Sequence, residues 1–231
     1  MVKQERAERT RETIIRAAAS IFEQDGFAAA QLSGIVRQAT VTKGALYFHF
    51  ASKRELARAV VGEAAGTLQI LLGEARRHRG GQLPLQILID LSHTVAGRLT
   101  ADPVLRAGLR LGTDADLFPE HGELIVDWGA LVDELLRKPT GELAEHVQSS
   151  AWFSPLAAVL TGLELLIRRQ PERVEPETLT SVWRLLLPGL ARSDDGERYE
   201  PAGSVRRSGP VSPMSRQSTQ GTRQHTDPPV R

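Results

Sequence analysis

Apolar residues at the start of the chain recur every three to four positions. Ile14, Ala17, Ala18, Ile21 and Phe22 fall at i, i+3, i+4, i+7 and i+8, one face of a helix expected over 10–25. Thr10 is its candidate N-cap, and Gly26 followed by Phe27 reads as a terminating glycine with its hydrophobic partner. A second helix fits 32–39 and buries Leu32, Ile35 and Val36. Thr40, Val41 and Thr42 connect it to a third helix over 43–48, so the opening reads as a helix-turn-helix pattern. Ser52 and Glu55 form a capping box that starts a long helix reaching about residue 79, ahead of Gly80 and Gly81. Further helices are expected over 83–99, 102–111, 120–138, 141–169 and 175–192. Pro103 suits the first turn of its helix, whereas Pro155 is expected to kink or split the one it falls in. No strand alternation is found, and the expected fold class is all-α.

From about residue 193 the sequence turns to Ser, Gly, Pro, Arg, Gln and Thr, too few large apolar groups to offset the entropy of ordering. Three units are therefore expected: a helix-turn-helix domain over 1–55, a helical domain over 56–192 and a disordered tail over 193–231. The net charge of +1 conceals an asymmetry. Residues 1–55 carry nine Lys/Arg against six Asp/Glu, while residues 56–190 carry thirteen against seventeen. A basic head on an acidic body points weakly to a polyanionic partner at the N-terminal end. The N-terminal KQERAERTRE is too charged for a signal peptide, no apolar run reaches the roughly 18 residues of a membrane span, and there is no cysteine. A soluble cytoplasmic protein without a membrane partner is expected.

The third helix and its surroundings, VTKGALYFHFASKREL, concentrate aromatics in a chain with only two Tyr and six Phe. On a helical wheel Leu46 and Phe50 share the buried face, flanked by Ala45 and His49, and Phe48 is expected to help them. Lys43, Gly44 and Tyr47 face outward. Thr42 is a natural N-cap, so free backbone N–H groups lie beside Lys43, an arrangement that favours phosphate. Gly44 permits close approach of another backbone, and Tyr47 stands one turn further on. Lys53, in the first turn of the next helix, opposes the helix dipole unless an anion intervenes.

Residues 10–56, and above all VTKGALYFHF followed by Ser52, Lys53, Glu55 and Leu56, resemble the DNA-binding domain of the tetracycline-repressor (TetR) family of transcriptional regulators. The resemblance implies that Thr42, Lys43, Gly44, Tyr47 and His49 form the DNA-reading helix. It also implies that Lys53 clamps a phosphate and that Arg6, Arg9 or Arg11 reaches the backbone or minor groove. Two positions depart from the family pattern: Thr40 stands where Gly is usual, and Ala51 where Pro is usual. A β-branched residue in a left-handed turn costs about 1 kcal/mol or more, so a reshaped turn is expected.

The same family implies a C-terminal domain that binds a small molecule and dimerises. Leu156, Val159, Leu160, Leu163, Leu166 and Ile167 form one apolar stripe, and Leu179, Val182, Trp183, Leu186 and Leu190 another. Either stripe alone reads equally as core; the resemblance implies a homodimer through these two C-terminal helices. Trp128, the pair Thr161 and Gly162, and the WRLLLPG ending are similar to the γ-butyrolactone-receptor subfamily. There the matching Trp lines the effector pocket and the matching Thr hydrogen-bonds the effector, which suits a lactone with an acyl tail. Some relatives of this kind take an antibiotic or other small molecule instead. Trp152 and Trp183 read as core. The implied function is a repressor released by its effector from a pseudo-palindromic double-stranded operator, with no cofactor.

One stretch suggests different chemistry. Residues 113–123 gather Asp114, Asp116, Glu120, His121 and Glu123, which would suit a metal-dependent helical enzyme. No metal, nucleotide or nucleophile motif accompanies them, and a solvated interhelical loop is the expectation.

Overall fold

The computed structural model describes residues 2–77, 82–112, 134, 143–144, 158–159, 162–163, 165–167, 169, 177–192 and 198–204. The fold is all-α. Seven helices are delimited among these residues: α1 (Val2–Ala29), α2 (Leu32–Ala39), α3 (Lys43–His49), α4 (Lys53–Arg77), α5 (Pro84–Ala101), α6 (Pro103–Gly112) and α7 (Thr178–Leu190). Trp128, Trp152, Pro155, Thr161, the acidic stretch 113–123 and most of the helices expected over 120–138 and 141–169 lie outside the described residues.

Helix α1 begins eight residues before Thr10, whose hydroxyl donates to the Arg6 carbonyl at 2.9 Å instead of capping a terminus. Nothing in KQERAERTRE breaks a helix, and Glu5 and Arg9 pair across one turn at 2.8 Å, so the helix extends backwards. Its regular path ends where expected. Gly26 adopts φ 78°, ψ 172°, a single turn follows, and Phe27 lies 6.0 Å from the Phe22 ring.

Helix α2 closes on Thr40, at φ 54°, ψ 41°. Thr40 N–H donates to Arg37 O and Val41 N–H to Val36 O, both at 3.2 Å, the paired bonds of a Schellman motif. The expected reshaping therefore does not occur. Threonine occupies the left-handed conformation because two hydrogen bonds and the burial of neighbouring Ala39 over-determine it. Thr40→Asn, which tolerates this region better, is expected to stabilise the chain by about 1 kcal/mol. That corresponds to a rise of about 2–4 °C in melting temperature for a chain of this length. An unchanged or lower melting temperature would show the turn to be unstrained.

At the start of α4, Ser52 Oγ accepts from Glu55 N–H at 3.1 Å, and the Glu55 carboxylate accepts from Ala51 N–H at 2.7 Å. The reach to Ala51 extends the capping box one residue outward and holds this corner without the usual proline. The α4 stripe Leu56, Val60, Val61, Ala64 and Leu68 is buried between α1 and α6. Helix α4 is long and apolar enough to cross a membrane by length and composition alone, but its apolar stripe lies in the core. Gly108 of α6 makes the crossing possible, since a Cβ there would lie 2.2 Å from Ala64 Cβ. The expected boundary at residue 55 thus falls inside a shared core.

Helix α5 is buried on every face over residues 85–92. Asp102 ends it and caps α6, its Oδ1 accepting from Val104 N–H at 2.9 Å and Leu105 N–H at 3.2 Å. Trp183 of α7 is core, as its sequence context suggested, and donates from Nε1 to Ser92 Oγ at 2.8 Å. The tail is not wholly as expected. Residues 198–204 pack against α5 with Tyr199 buried, because Gln86, Asp90 and His93 offer partners to their backbone.

Candidate nucleic-acid interface

Helix α3 is short, and its anchoring is one-sided. Leu46 and Phe50 are buried at 0% and 2% exposure, and Thr42 Oγ1 accepts from Ala45 N–H at 3.1 Å. Thr42, Lys43, Gly44 and Tyr47 are all exposed, with Lys43 Nζ 5.8 Å from the centre of the Tyr47 ring. A Cβ at Gly44 would meet only Thr42 Oγ1, at 3.9 Å. Packing therefore does not require this glycine, although glycine, here the second residue of α3, is among the poorer helix formers.

Phe48 departs from the expectation that it helps the buried face. It is 80% exposed, not part of the core. At roughly 100° per residue it lies about 200° around the helix from Leu46, on the opposite side. Apolar character had suggested burial; periodicity alone would have placed it outside with Tyr47. His49 is half-buried, its ring edge-on to Phe48 at 5.1 Å and tilted to Phe50 at 6.3 Å.

Lys53 departs from the role implied for it. Its ammonium donates to the carbonyls of Phe27 at 2.7 Å, Ala28 at 3.1 Å and Ala30 at 3.0 Å, with the Phe27 ring centre 4.7 Å away. Three acceptors match the three protons of the ammonium. Because Gly26 interrupts α1, these carbonyls follow the break, and Lys53 caps them instead of waiting for a phosphate. Among the arginines, Arg6 and Arg9 are exposed. Arg11 is half-buried, 3.5 Å from Glu63 of α4 and 5.6 Å from the Phe50 ring centre, which makes it a brace between α1 and α4.

Helix α1, which carries the helix-turn-helix, is tied to the rest of the chain by two α6 arginines that no sequence pattern announced. Arg106 pairs with Glu23 at 2.6 Å, both side chains being about 15% exposed, and also donates to the Thr100 carbonyl at 3.0 Å. Arg110 donates to the carbonyls of Phe22 and Glu23. One arginine thereby links the end of α5 to α1. No local pattern announces such long-range pairs. Among the described residues no group of three or more His, Cys, Asp or Glu is placed to hold a metal ion.

A basic and aromatic face on a helix-turn-helix, braced from behind, agrees with the comparisons. The family model described as bacterial regulatory proteins, tetR family, matches residues 14–60. The A-factor receptor protein of Streptomyces griseus is 32% identical over 212 residues, spanning 89% of this chain and 72% of that one. The chain belongs to the TetR family of bacterial regulators. Among solved structures, a γ-butyrolactone receptor described as ArpA-like superposes with a TM-score of 0.70 at 30% identity, covering 87% of this chain and 98% of that one. CprB of Streptomyces coelicolor, in complex with its operator, gives a TM-score of 0.69 at 33% identity, covering 84% and 94%. This TetR-family chain is thus a DNA-binding transcriptional regulator.

Proposed function

We propose that this regulator binds an operator through α3, reading bases with Tyr47 and Phe48 while Thr42, Lys43 and Gly44 approach the backbone. Arg6 and Arg9 add charge beside the duplex, and His49 and Lys53 position the helix. The observation that carries the reading is the outward aromatic pair, Tyr47 at 47% and Phe48 at 80% exposure, on a helix pinned by Leu46 and Phe50. An apolar ring gains nothing from water, whereas thymine methyls and sugar edges suit it.

The regulator acts as a homodimer joined through α7 and the segment carrying Leu165 and Leu166. Leu185 is 82% exposed, Leu165 45% and Leu166 37%, and a Cβ at Gly162 or Gly189 would meet nothing within 4 Å. Such open apolar surface with glycine gaps suits a close helix–helix contact. A two-fold dimer reads half-sites separated by about 34–36 Å or a multiple of it.

Its effector is a γ-butyrolactone carrying an acyl chain, taken up beside Trp128 and Thr161. This part of the reading is supported by identity to the A-factor receptor across most of the chain. Effector and operator then weaken each other by the same factor. The experiment is selection of a bound sequence from random DNA, followed by titration of the complex with acyl γ-butyrolactones and, in parallel, antibiotics. A palindromic site released by a lactone is expected. Absence of an enriched site would sink the operator reading, and release by an antibiotic alone would reassign the effector.

A further inference from the structure

Residues 198–204 cross α5 as a short strap. Glu200 exchanges hydrogen bonds with the Gln86 side chain, N–H to Oε1 at 2.8 Å and Nε2–H to its carbonyl at 3.3 Å. His93 Nε2 bonds the Pro201 carbonyl at 2.8 Å, and Ser204 N–H donates to Asp90 Oδ1 at 2.7 Å. Gly203 makes the close approach at φ 81°, where a Cβ would lie 3.2 Å from His93 Cδ2. Tyr199 is the buried side chain of the strap, at 4% exposure.

Gln86, Asp90 and His93 fall at i, i+4 and i+7, a polar stripe along the half of α5 that is buried on every face over residues 85–92. With the strap seated, its backbone and the Ser204 hydroxyl satisfy them beside the Gln86–Asp90 bond of 2.8 Å within α5; with the strap lifted, water takes the place of the strap. Either state leaves the polar groups paired, and opening exposes one large apolar side chain, Tyr199. Such a segment opens more readily than the core. The opposite end of α5 is held by Arg106, which bonds the Leu99 and Thr100 carbonyls and pairs with Glu23 of α1. A helix buried over two turns is a stiff connector between these two grips.

We propose that residues 198–204 are a latch: seated, they fix α5 and, through Arg106, the end of α1 in the arrangement that presents α3 to DNA. The proposal rests on the operator-binding reading for its regulatory half, while the grip on α5 is measured without DNA.

The test uses the full chain with Gly203→Val, which unseats the strap without altering α5, and Tyr199→Ala as an independent second variant. Hydrogen exchange of the amides of residues 86–93 is expected to quicken about tenfold in both, with α2 and α3 protected as in the wild type. Affinity for the selected operator is expected to fall about fivefold, a modest allosteric coupling. Unchanged α5 exchange in both variants overturns the latch. So does faster α5 exchange with unchanged operator affinity, which would make the strap a cover without control. Faster exchange in α2 and α3 would assign the effect to general unfolding and overturn it as well. A wild-type chain that enriches no DNA sequence defeats the operator reading itself, a result distinct from variants that bind as the wild type does.

Discussion

Arg106→Ala is expected to destabilise the chain by about 2–3 kcal/mol. The Arg106–Glu23 pair has side chains 15% and 16% exposed, so removing the arginine leaves a largely desolvated carboxylate uncompensated. Breaking a fully buried pair costs about 3–5 kcal/mol, and residual solvent access reduces this. The melting temperature should fall by about 4–12 °C. A double-mutant cycle with Glu23→Ala separates the pair from its surroundings. Coupling of about 1–2 kcal/mol is expected, and additive effects would remove this bridge from the link between α5 and α1. Because Arg106 also bonds the α5 terminus, the single variant should bind operator less tightly at temperatures where it remains folded.

Phe48→Ala is expected to weaken operator binding about thirtyfold in the proposed dimer, from a loss of about 1 kcal/mol at each α3. Its stability should stay within about 0.5 kcal/mol of the wild type, because the ring is 80% exposed. The salt dependence of binding should not change, since no charge is lost. Lys43→Ala should instead lower the salt slope by about one unit per protomer. A large drop in melting temperature for Phe48→Ala would return the ring to the core. Unchanged operator affinity would remove it from the interface.

The first four helices were legible because each carries local signals. Thr42 and Ser52 cap the helices they were read as capping, Gly26 breaks α1, and Leu46 and Phe50 face inward. Thr10 lies inside α1, and a threonine near charged residues resembles a cap whether or not helix precedes it. Phe48 looks like core by residue type, whereas its angular position on α3 sets it outside. The turn at Thr40 was expected to yield, and the chain instead carries the strain.

Other features lay beyond any local reading. Lys53 meets three carbonyls 23 to 26 residues away, and Arg106 meets Glu23 across 83 residues. The strap reaches α5 across 108 to 114 residues in a stretch whose composition resembles disorder. Periodicity, capping and glycine placement act within a turn or two of helix, and so the sequence by itself determined the all-α class, the helix-turn-helix and the outward setting of Lys43, Gly44 and Tyr47. Which cation caps which carbonyl, which arginine couples α6 to α1 and where the C-terminal segment rests depend on distances between distant elements. Only tertiary packing decided those, because a long charged or polar side chain is indifferent to its neighbours in sequence and takes whichever partner the fold brings within reach.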